Sequence, residues 1–334
     1  MKRNRLNREE HLPPPRGLVV AAFAAIYLIW GSTYLGIRFA VETIPPFLLG
    51  GARFLLAGGV LYAWLRFKGV PNPSGYHWRN AALVGGLLLG IGNGGVNWAE
   101  QKVASSLTAL LIAITPLWFV LLDWLRSRGA RPSFRTMLGI VVGFGGVAML
   151  VGGPQVMRQN AIDLTGAAAL MIASIAWASG SLYARYTPKP DSSLMAGAMQ
   201  MLAGGAALFA AGLFSGEAEQ FDWSSISGRS SWAFAYLTVV GSMIGFTAFS
   251  WLLKVSTPAR ISTYAYVNPV IAVLLGWAVG GEALAPRTLR AAAVIVLGVL
   301  IITTGKSVSA RVEQKPGIGP EMEVKTVSNA VEQT

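Results

Sequence analysis

The sequence predicts an all-α integral membrane protein with ten transmembrane helices, arranged as two inverted five-helix repeats with both termini in the cytoplasm. Three observations lead to this prediction: the composition, a series of long apolar runs, and an internal repeat. Of the 334 residues, 53% are hydrophobic and 13% are charged, whereas a soluble domain carries roughly 25% charged residues. A soluble fold so poor in charge would expose large apolar patches, which a bilayer solvates.

Apolar runs of about 20 residues recur along the chain, and each is long enough to cross the hydrocarbon core as a helix. The connections between them are short, so consecutive helices are expected to be antiparallel neighbours. The first repeat is assigned to residues 17–153 and the second to residues 162–305, with polar tails at 1–16 and 306–334 that are expected to be disordered. The predicted spans are 17–37, 46–67, 80–98, 104–125, 134–152, 162–184, 193–215, 231–252, 258–279 and 287–305.

The distribution of Lys and Arg predicts the orientation. If the N-terminus is cytoplasmic, 20 of the 27 basic residues fall in cytoplasmic segments and 5 in outer segments, and Arg38 and Arg53 lie within or beside spans. Positive charge accumulates on the cytoplasmic side of membrane proteins, so this split favours cytoplasmic termini and an even number of spans. The same distribution explains the net charge of +12 without nucleic acid, because no basic helix or patch is present.

Four short matches in the same order indicate an internal repeat. Because the repeat unit holds five helices, an odd number, the two halves must insert with opposite orientations. Inverted repeats of this kind are typical of secondary transporters. The matches pair Trp30–Arg38 with Trp177–Arg185, Gly51–Gly59 with Gly197–Gly205, Thr115-Pro116 with Asn268-Pro269, and Gly146-Val147 with Gly298-Val299.

Polar and aromatic residues are concentrated in the first, third, fourth, sixth, eighth and ninth spans, which predicts an inner ring of helices around a cavity. Pro116 and Pro269 each remove a backbone hydrogen bond and should free a carbonyl, on Ile112 and Ala265 respectively. The candidate substrate-binding residues are Trp30, Ser32, Tyr34, Asn93, Asn97, Trp98, Pro116, Trp118, Trp177, Ser181, Tyr264, Tyr266, Asn268 and Pro269.

Within this set, the specific hypothesis is that Trp118, Tyr264 and Asn268 line the binding site. Structural explanations compete with it. Hydroxyl side chains often bond to their own helix, tryptophans often lie at the headgroup level, and prolines often produce packing kinks.

The ionisable residues restrict the chemistry. The chain has no cysteine, and its two histidines, His11 and His77, lie outside the apolar runs, so a catalytic relay or zinc site within the spans is not expected. No phosphate-binding loop is present either, and no cofactor is expected. Glu100, just beyond the third span, is the candidate residue for coupling transport to an ion gradient.

Several motifs together resemble the EamA family of the drug/metabolite transporter (DMT) superfamily, and in particular its YedA-like inner-membrane exporters. The resemblance implies two five-helix repeats, a cavity lined by helices 1, 3, 4, 6, 8 and 9, and export of small metabolites or drugs. The small four-helix relatives carry a glutamate in their first helix, whereas this chain has no acidic residue between Gly17 and Arg38. The motifs are Trp30–Arg38, Pro45-Pro46 with Gly51-Ala-Arg53, Gly92-Asn-Gly94 with Trp98-Ala-Glu100, and Ser262–Pro269.

The sequence therefore predicts a secondary transporter of the inner membrane that is not an enzyme and exports amino acids, related solutes or drugs by alternating access. The alternatives are an importer of a polar solute such as a sugar, a non-transporting scaffold and, least favoured, a membrane-embedded enzyme. The expected partners are a small-molecule solute and membrane lipid, without nucleic acid. The sequence leaves the oligomeric state open, a monomer included.

Overall fold

A computed structural model of the chain describes residues 15–126, 132–151, 163–256 and 263–304, and every regular element in these ranges is helical. A helical stretch lies at each predicted span, and we number these stretches as helices 1 to 10. The predicted tails fall outside the described residues except for Pro15 and Arg16.

The first half contains helices 1 to 5. Helix 3 has three segments, the middle one π-helical, and helix 4 has two segments separated by a turn just before Pro116. The bounds are Arg16–Ala40 for helix 1, Pro46–Phe67 for helix 2, Gly75–Gly85, Gly86–Asn93 and Gly94–Ala99 for helix 3, Ser105–Ile112 and Thr115–Leu125 for helix 4, and Phe134–Val151 for helix 5.

The second half repeats this pattern. Helix 8 also has a π-helical middle segment, and Pro269 lies inside helix 9. The bounds are Leu164–Tyr186 for helix 6, Ser193–Phe214 for helix 7, Gly228–Tyr236, Leu237–Ile244 and Gly245–Val255 for helix 8, Tyr264–Ala278 for helix 9, and Pro286–Thr304 for helix 10, with short turns at Glu217–Gln220 and Trp223–Ser225.

Six of these stretches, helices 1, 2, 4, 6, 7 and 8, are long and apolar enough to cross a membrane. Phe134–Leu150 and Val267–Ala278 are shorter apolar helices. The outer surface is apolar as well: Val20, Val141 and Trp232 are 67%, 65% and 79% exposed. Side chains of this kind face lipid rather than water, so the chain is a multi-pass membrane protein. The number of ten spans stays a prediction.

Side-chain caps fix where several helices begin. Ser74 forms a reciprocal capping box with His77 at the start of helix 3, which begins at Gly75 and not at residue 80 as predicted. Asp163 and Ser227 cap helices 6 and 8 through the backbone N–H groups of Gly166 and Ser230. Hydropathy alone missed the start of helix 3 because its first turn is polar.

The helices pack in a pattern that follows the repeat. Helix 2 packs along helix 7, and helix 5 packs along helix 10. Helix 1 contacts helices 8 and 9, while its counterpart helix 6 contacts helices 3 and 4. The structure thus contains two three-helix groups, 1-8-9 and 3-4-6, flanked by the pairs 2-7 and 5-10. Helices 2, 5, 7 and 10, which carry few polar residues, are those that the sequence predicted to lie outside the inner ring.

The π-helical segments lie at equivalent places in the two halves, residues 86–93 in helix 3 and 237–244 in helix 8. The sequence predicted uninterrupted spans here. In helix 8 the hydroxyl of Ser242 donates to the carbonyl of Leu237, five residues earlier, and thereby satisfies one backbone acceptor of the wider turn. π-Helical turns often accompany functional sites, so both segments point to the helices that matter for function.

Candidate functional site

Unpaired polar atoms buried in helices 2 to 4 and the adjoining turn mark one part of the candidate site. Buried polar groups are nearly always hydrogen-bonded, so a cluster of exceptions indicates where a ligand or solvent interacts. The buried side-chain atoms that lack a partner among the described residues are Arg53 Nη1, Asn93 Oδ1, Asn97 Oδ1, both carboxylate oxygens of Glu100, Thr108 Oγ1 and Trp118 Nε1. Asn93, Asn97 and Glu100 follow one another at helical spacing and form a polar stripe along the end of helix 3.

Trp30 of helix 1 is the centre of an aromatic cluster with helices 8 and 9. Its ring centroid lies 5.3 Å from that of Tyr264 in an edge-to-face arrangement, 5.1 Å from Phe249 and 5.9 Å from Phe246. A Cβ atom added at Gly245, directly after the π-helical segment of helix 8, would lie 2.6 Å from Trp30 Nε1. Only glycine therefore allows the indole to lie this close to the helix backbone.

Trp177 of helix 6, the repeat equivalent of Trp30, makes the equivalent contact in the other half. A Cβ atom at Gly92, near the end of the π-helical segment of helix 3, would lie 3.1 Å from Trp177 Cε3. The sequence singled out both tryptophans, and the structure places each against a glycine of a distorted helix. The indoles mark equivalent positions in the groups 1-8-9 and 3-4-6.

Asn268 and Pro269 lie on helix 9 beside helix 1. Asn268 is buried, and with its amide oriented to donate, the nitrogen lies 3.3 Å from the carbonyl oxygens of both Tyr264 and Tyr27. The amide therefore ties helix 9 to helix 1 close to the Trp30 cluster. Tyr264 and Asn268 lie one turn apart on helix 9, and their role in a binding site stays a prediction.

Trp118 and Pro116 lie elsewhere, on helix 4. The Trp118 ring packs edge-to-face on Phe144 of helix 5 at 5.0 Å, whereas Tyr264 and Asn268 pack on helix 1. The carbonyl of Ile112, which Pro116 was expected to free, accepts a hydrogen bond of 2.6 Å from the Thr115 hydroxyl. That carbonyl already has a partner within its own helix.

The other candidate residues have mixed surroundings. Asn97 donates to the carbonyl of Pro46 at 3.1 Å, and the Trp98 ring stacks with the Lys102 ammonium at 4.5 Å near the membrane boundary. The Ser32 hydroxyl bonds to its own helix and to the Tyr236 hydroxyl. Tyr34 and Ser181 are half-buried on helices 1 and 6, and the side chain of Tyr266 lies outside the described atoms.

Glu100 lies fully buried in the turn after helix 3, and neither of its carboxylate oxygens has a hydrogen-bond partner among the described residues. Burial, and then the charge of Glu282, raise the pKa of Glu100 well above its ordinary value, although the nearby Arg38 guanidinium opposes the shift. Arg38 itself donates to the backbone carbonyl of Glu100.

Glu282 caps the start of helix 4 from the loop after helix 9. Its carboxylate accepts hydrogen bonds from Ser105 N and Oγ, both at 2.7 Å, and from Ser106 N at 3.0 Å. Partial burial favours the neutral form of Glu282, but the hydrogen bonds from Ser106 and Ser105 outweigh it and lower its pKa. The pKa values of the neighbouring Glu100 and Glu282 are thus shifted in opposite directions.

These contacts close one end of the bundle. The predicted outer face carries loops 41–45, 100–104, 215–227 and 279–285. At this face Arg38 and Glu282 join helices 1 and 9 to the turn after helix 3 and to helix 4. At the opposite face, a hydrogen bond between Tyr27 and Thr263 lies within the group 1-8-9, and a hydrogen bond between Asn80 and Tyr183 lies within the group 3-4-6. The outer segment of helix 4 contacts helices 1 and 9, while its inner segment packs on helix 6.

Sequence reasoning did not assign Arg53 of helix 2 to the candidate site and noted only that it lies within or beside a span. The residue is 4% exposed, and its Nε donates to Ser242 Oγ of the π-helical segment at 2.9 Å. No carboxylate of the described residues lies within 4 Å of the guanidinium. The signal that could have identified it is in the repeat, because Arg53 aligns with Met199, an uncharged residue.

Two cavities lie beside the core. A groove of about 680 Å³ runs between helices 1, 2 and 8, and its apolar lining includes Leu61, Met243 and Trp251. A smaller cavity of about 330 Å³ lies between helices 4, 5 and 6. Among the described residues, no group of three or more His, Asp or Glu side chains is arranged to hold a metal ion.

Comparison with known proteins gives a consistent result. The EamA-like transporter family matches residues 16–152 and again residues 164–304. The chain is 41% identical to the uncharacterized inner membrane transporter YedA of Escherichia coli K12, over 85% of this chain and 90% of the relative. It is also 20% identical to the uncharacterized transporter YoaV of Bacillus subtilis, over 86% of this chain and 94% of the relative.

More distant similarity extends to a plant protein and to a solved structure. The WAT1-related chloroplastic protein At3g02690 of Arabidopsis thaliana is 23% identical over 83% of this chain and 67% of its own length. A protein known by its crystal structure, 22% identical, superimposes with a TM-score of 0.58 over 86% of this chain and 97% of its own. At that identity, the structural likeness shows a common fold.

Proposed function

We propose, from the premise that the chain belongs to the EamA-like transporter family, that it is a secondary carrier that exports small metabolites or drugs by alternating access. The chain is a multi-pass transporter of the inner membrane and not an enzyme. The proposal adds the direction of transport, the mechanism and the residues that contact the solute.

The observation that carries the proposal is the pair of equivalent tryptophan contacts. Trp30 lies against Gly245 and Trp177 against Gly92, each beside a π-helical segment in one half of the chain. Two halves with opposite orientation would place these two contacts at symmetry-related positions near the middle of a central passage. Aromatic faces can hold an apolar or a cationic group, and the Asn93 and Asn97 amides can bind polar groups.

The connections at the two faces support alternating access. Arg38 and Glu282 hold the groups 1-8-9 and 3-4-6 together at the predicted outer face, which corresponds to a state closed to the outside. Opening outward requires that these bonds break and that the groups rock against each other. Helix 4 can bend for this motion at the turn before Pro116, where its helix is already interrupted.

Glu100 is the proposed coupling residue. Its carboxyl is buried beside Arg38 and Glu282 at the point where the two groups join. When the outer face is open, water can reach Glu100, and its carboxyl can take up a proton from outside as the solute leaves. Closure buries the neutral carboxyl. Release of that proton toward the cytoplasm would then complete the exchange of a proton for the solute.

The first test is efflux from cells that overproduce the protein, loaded with a panel of amino acids, nucleosides and hydrophobic cations. The wild type should export one class of compound. Trp30→Ala and Trp177→Ala should lower that flux at least tenfold, because each removes a proposed contact, while Trp30→Phe should retain part of it. The control is Trp232→Ala, since Trp232 is 79% exposed on the outer surface.

The amount of each variant in the membrane is measured in parallel, so that a loss of flux is not confused with a loss of folded protein. The proposal fails if well-folded Trp30 and Trp177 variants transport like wild type. Flux that occurs only inward, when the same panel is run as uptake, would favour an importer. No flux in either direction would favour the scaffold.

A further inference from the structure

Arg53 presents an unbalanced charge in the middle of the helix bundle. The guanidinium is always protonated in proteins, and here it is buried between helices 2 and 8 with its Nη1 unpaired among the described residues. Its contacts include the Ser242 hydroxyl at 2.9 Å and the Phe54 ring, whose centroid lies 4.6 Å from Cζ. Neither contact neutralises the positive charge.

Burial of an unpaired charge lowers the stability of the fold, which suggests that the charge serves a function. A buried charge is normally paired, and charged residues within membrane helices commonly mark the pathway of a solute or ion. The apolar surroundings that make the unpaired cation unfavourable would also strengthen its attraction for an anion. The position is therefore prepared to bind a negative group brought from outside the chain.

The repeat shows that the fold does not need a cation at this position. Arg53 aligns with Met199 in the second half, within the match of Gly51–Gly59 to Gly197–Gly205. Met199 is fully buried in an apolar cluster with Leu65 and Met195. Helices 2 and 7 pack along each other, and helix 7 has a methionine at the position where helix 2 has the arginine. The packing of the two helices therefore does not require a charge at this position.

The surroundings of Arg53 connect it with the candidate site. Its partner Ser242 belongs to the π-helical segment of helix 8, and the Tyr236 phenol interacts electrostatically with the guanidinium. The Tyr236 hydroxyl in turn contacts Ser32, two residues from Trp30. The apolar groove between helices 1, 2 and 8 is lined by Met243, the residue after Ser242.

We propose that Arg53 binds the anionic group of the transported solute, and that the solute is a carboxylate with an apolar or aromatic body. This inference rests on the proposed transport function and narrows its substrate class. The planar guanidinium matches a carboxylate, which can accept two hydrogen bonds from it. The Ser242 hydroxyl orients the guanidinium from Nε, and its unpaired Nη1 is free to donate to the ligand.

The test is a binding measurement that does not depend on transport. The purified full-length protein in lipid nanodiscs is heated with and without phenylacetate, L-phenylalanine or acetate, and unfolding is followed by tryptophan fluorescence. The uncharged amides, phenylacetamide and acetamide, and L-phenylalaninamide, which lacks a carboxylate, serve as matched ligands at the same ionic strength. At least one carboxylate with an aromatic body should raise the unfolding temperature of the wild type, and its amide should not.

Variants assign the effect to Arg53. Arg53→Met, which reproduces the residue of the second half, should fold and should lose the carboxylate-dependent shift. Arg53→Lys should bind at least tenfold more weakly than wild type, because an ammonium lacks the planar pair of donors. Ser242→Ala keeps the charge but removes the orienting contact, and it should weaken binding less than Arg53→Met. Met199→Leu is the matched control and should bind like wild type.

Three results would overturn the proposal. The first is a wild type that none of the carboxylates stabilises, and the second is an unchanged shift in Arg53→Met. The third is an equal, Arg53-dependent shift with chloride alone, which would assign the position to an inorganic anion. Arg53→Lys and Ser242→Ala provide the answer if Arg53→Met does not fold. Because binding is measured directly, a failed transport assay would leave a positive result here intact.

Discussion

At the scale of single residues, buried ionisable groups set the properties of the protein that are easiest to test. Glu100 and Arg53 are both almost completely buried, and both have side-chain atoms without partners among the described residues. The sequence identified Glu100 because an acid beside an apolar run is conspicuous. It did not identify Arg53, because hydropathy cannot distinguish an arginine that extends to the headgroups from one enclosed by helices.

Glu100 should make the stability of the protein depend on pH. A carboxyl whose pKa is raised by folding contributes fully to the stability of the folded state at a pH below its pKa in the unfolded chain, about 4.5. This contribution is lost as the pH rises through the pKa of the carboxyl in the folded protein. We therefore expect the unfolding temperature to fall as the pH is raised above about 4.5. The Glu100→Gln variant keeps the shape of the side chain but cannot ionise, so its unfolding temperature should not fall over the same pH range.

Three other carboxyl groups do not interfere with this measurement, namely those of Glu282, Asp163 and Asp222. Folding lowers the pKa of each, so each loses its contribution only as the pH falls below its ordinary value. The other groups that interact with Glu100 are Arg38 and Tyr34. An unchanged slope in Glu100→Gln would show that Glu100 is not the titrating group.

At the scale of helices, the sequence predicted where the apolar spans lie but not how they are distorted. Length and hydropathy were sufficient for the spans because a bilayer imposes both. The π-helical segments were not predicted, since the run Gly90-Ile-Gly-Asn-Gly94 has the composition of an ordinary glycine-rich membrane helix. Each segment lies beside an indole, that of Trp30 or Trp177, which comes from a helix far away in the sequence.

The contact between helices 1 and 8 should tolerate no side chain at Gly245. An alanine there would place its Cβ 2.6 Å from Trp30 Nε1, so the indole must move. We expect Gly245→Ala to lower transport about tenfold while the amount of folded protein stays within a factor of two. Gly59→Ala is the control, because no atom lies within 4 Å of the added Cβ. Equal transport by both variants would show that the position of the Trp30 ring does not matter.

At the scale of the whole molecule, the proposed mechanism requires that the two halves insert with opposite orientations. The sequence predicts it from the odd number of helices in the repeat and from the 20-to-5 distribution of basic residues. The structure adds the equivalent packing of helix 1 on helices 8 and 9 and of helix 6 on helices 3 and 4.

Single cysteines can test this orientation directly, since the natural chain contains none. Lys68 and Trp223 lie in equivalent loops of the two halves, after helices 2 and 7, and both are exposed. In intact cells, a thiol reagent that cannot cross the membrane should label Trp223→Cys, and it should label Lys68→Cys only after permeabilisation.

Gln101→Cys and Lys189→Cys extend the test to two further loops, with Gln101 expected outside and Lys189 inside. Labelling of Lys68→Cys and Trp223→Cys from the same side would show that the halves are parallel and would contradict the inverted arrangement. Labelling of all four positions with the sides exchanged would keep the inversion but place the termini outside.

The alignment of Arg53 with Met199 has a consequence for the history and stoichiometry of the carrier. An ancestral pair of identical five-helix chains would have carried the same residue in both copies, and therefore two cations or none at these positions. Fusion of the halves into one chain allows one copy to keep a charge while the other becomes part of an apolar core. With a cation at only one of these two equivalent positions, the proposed carrier would bind one anionic solute in each cycle.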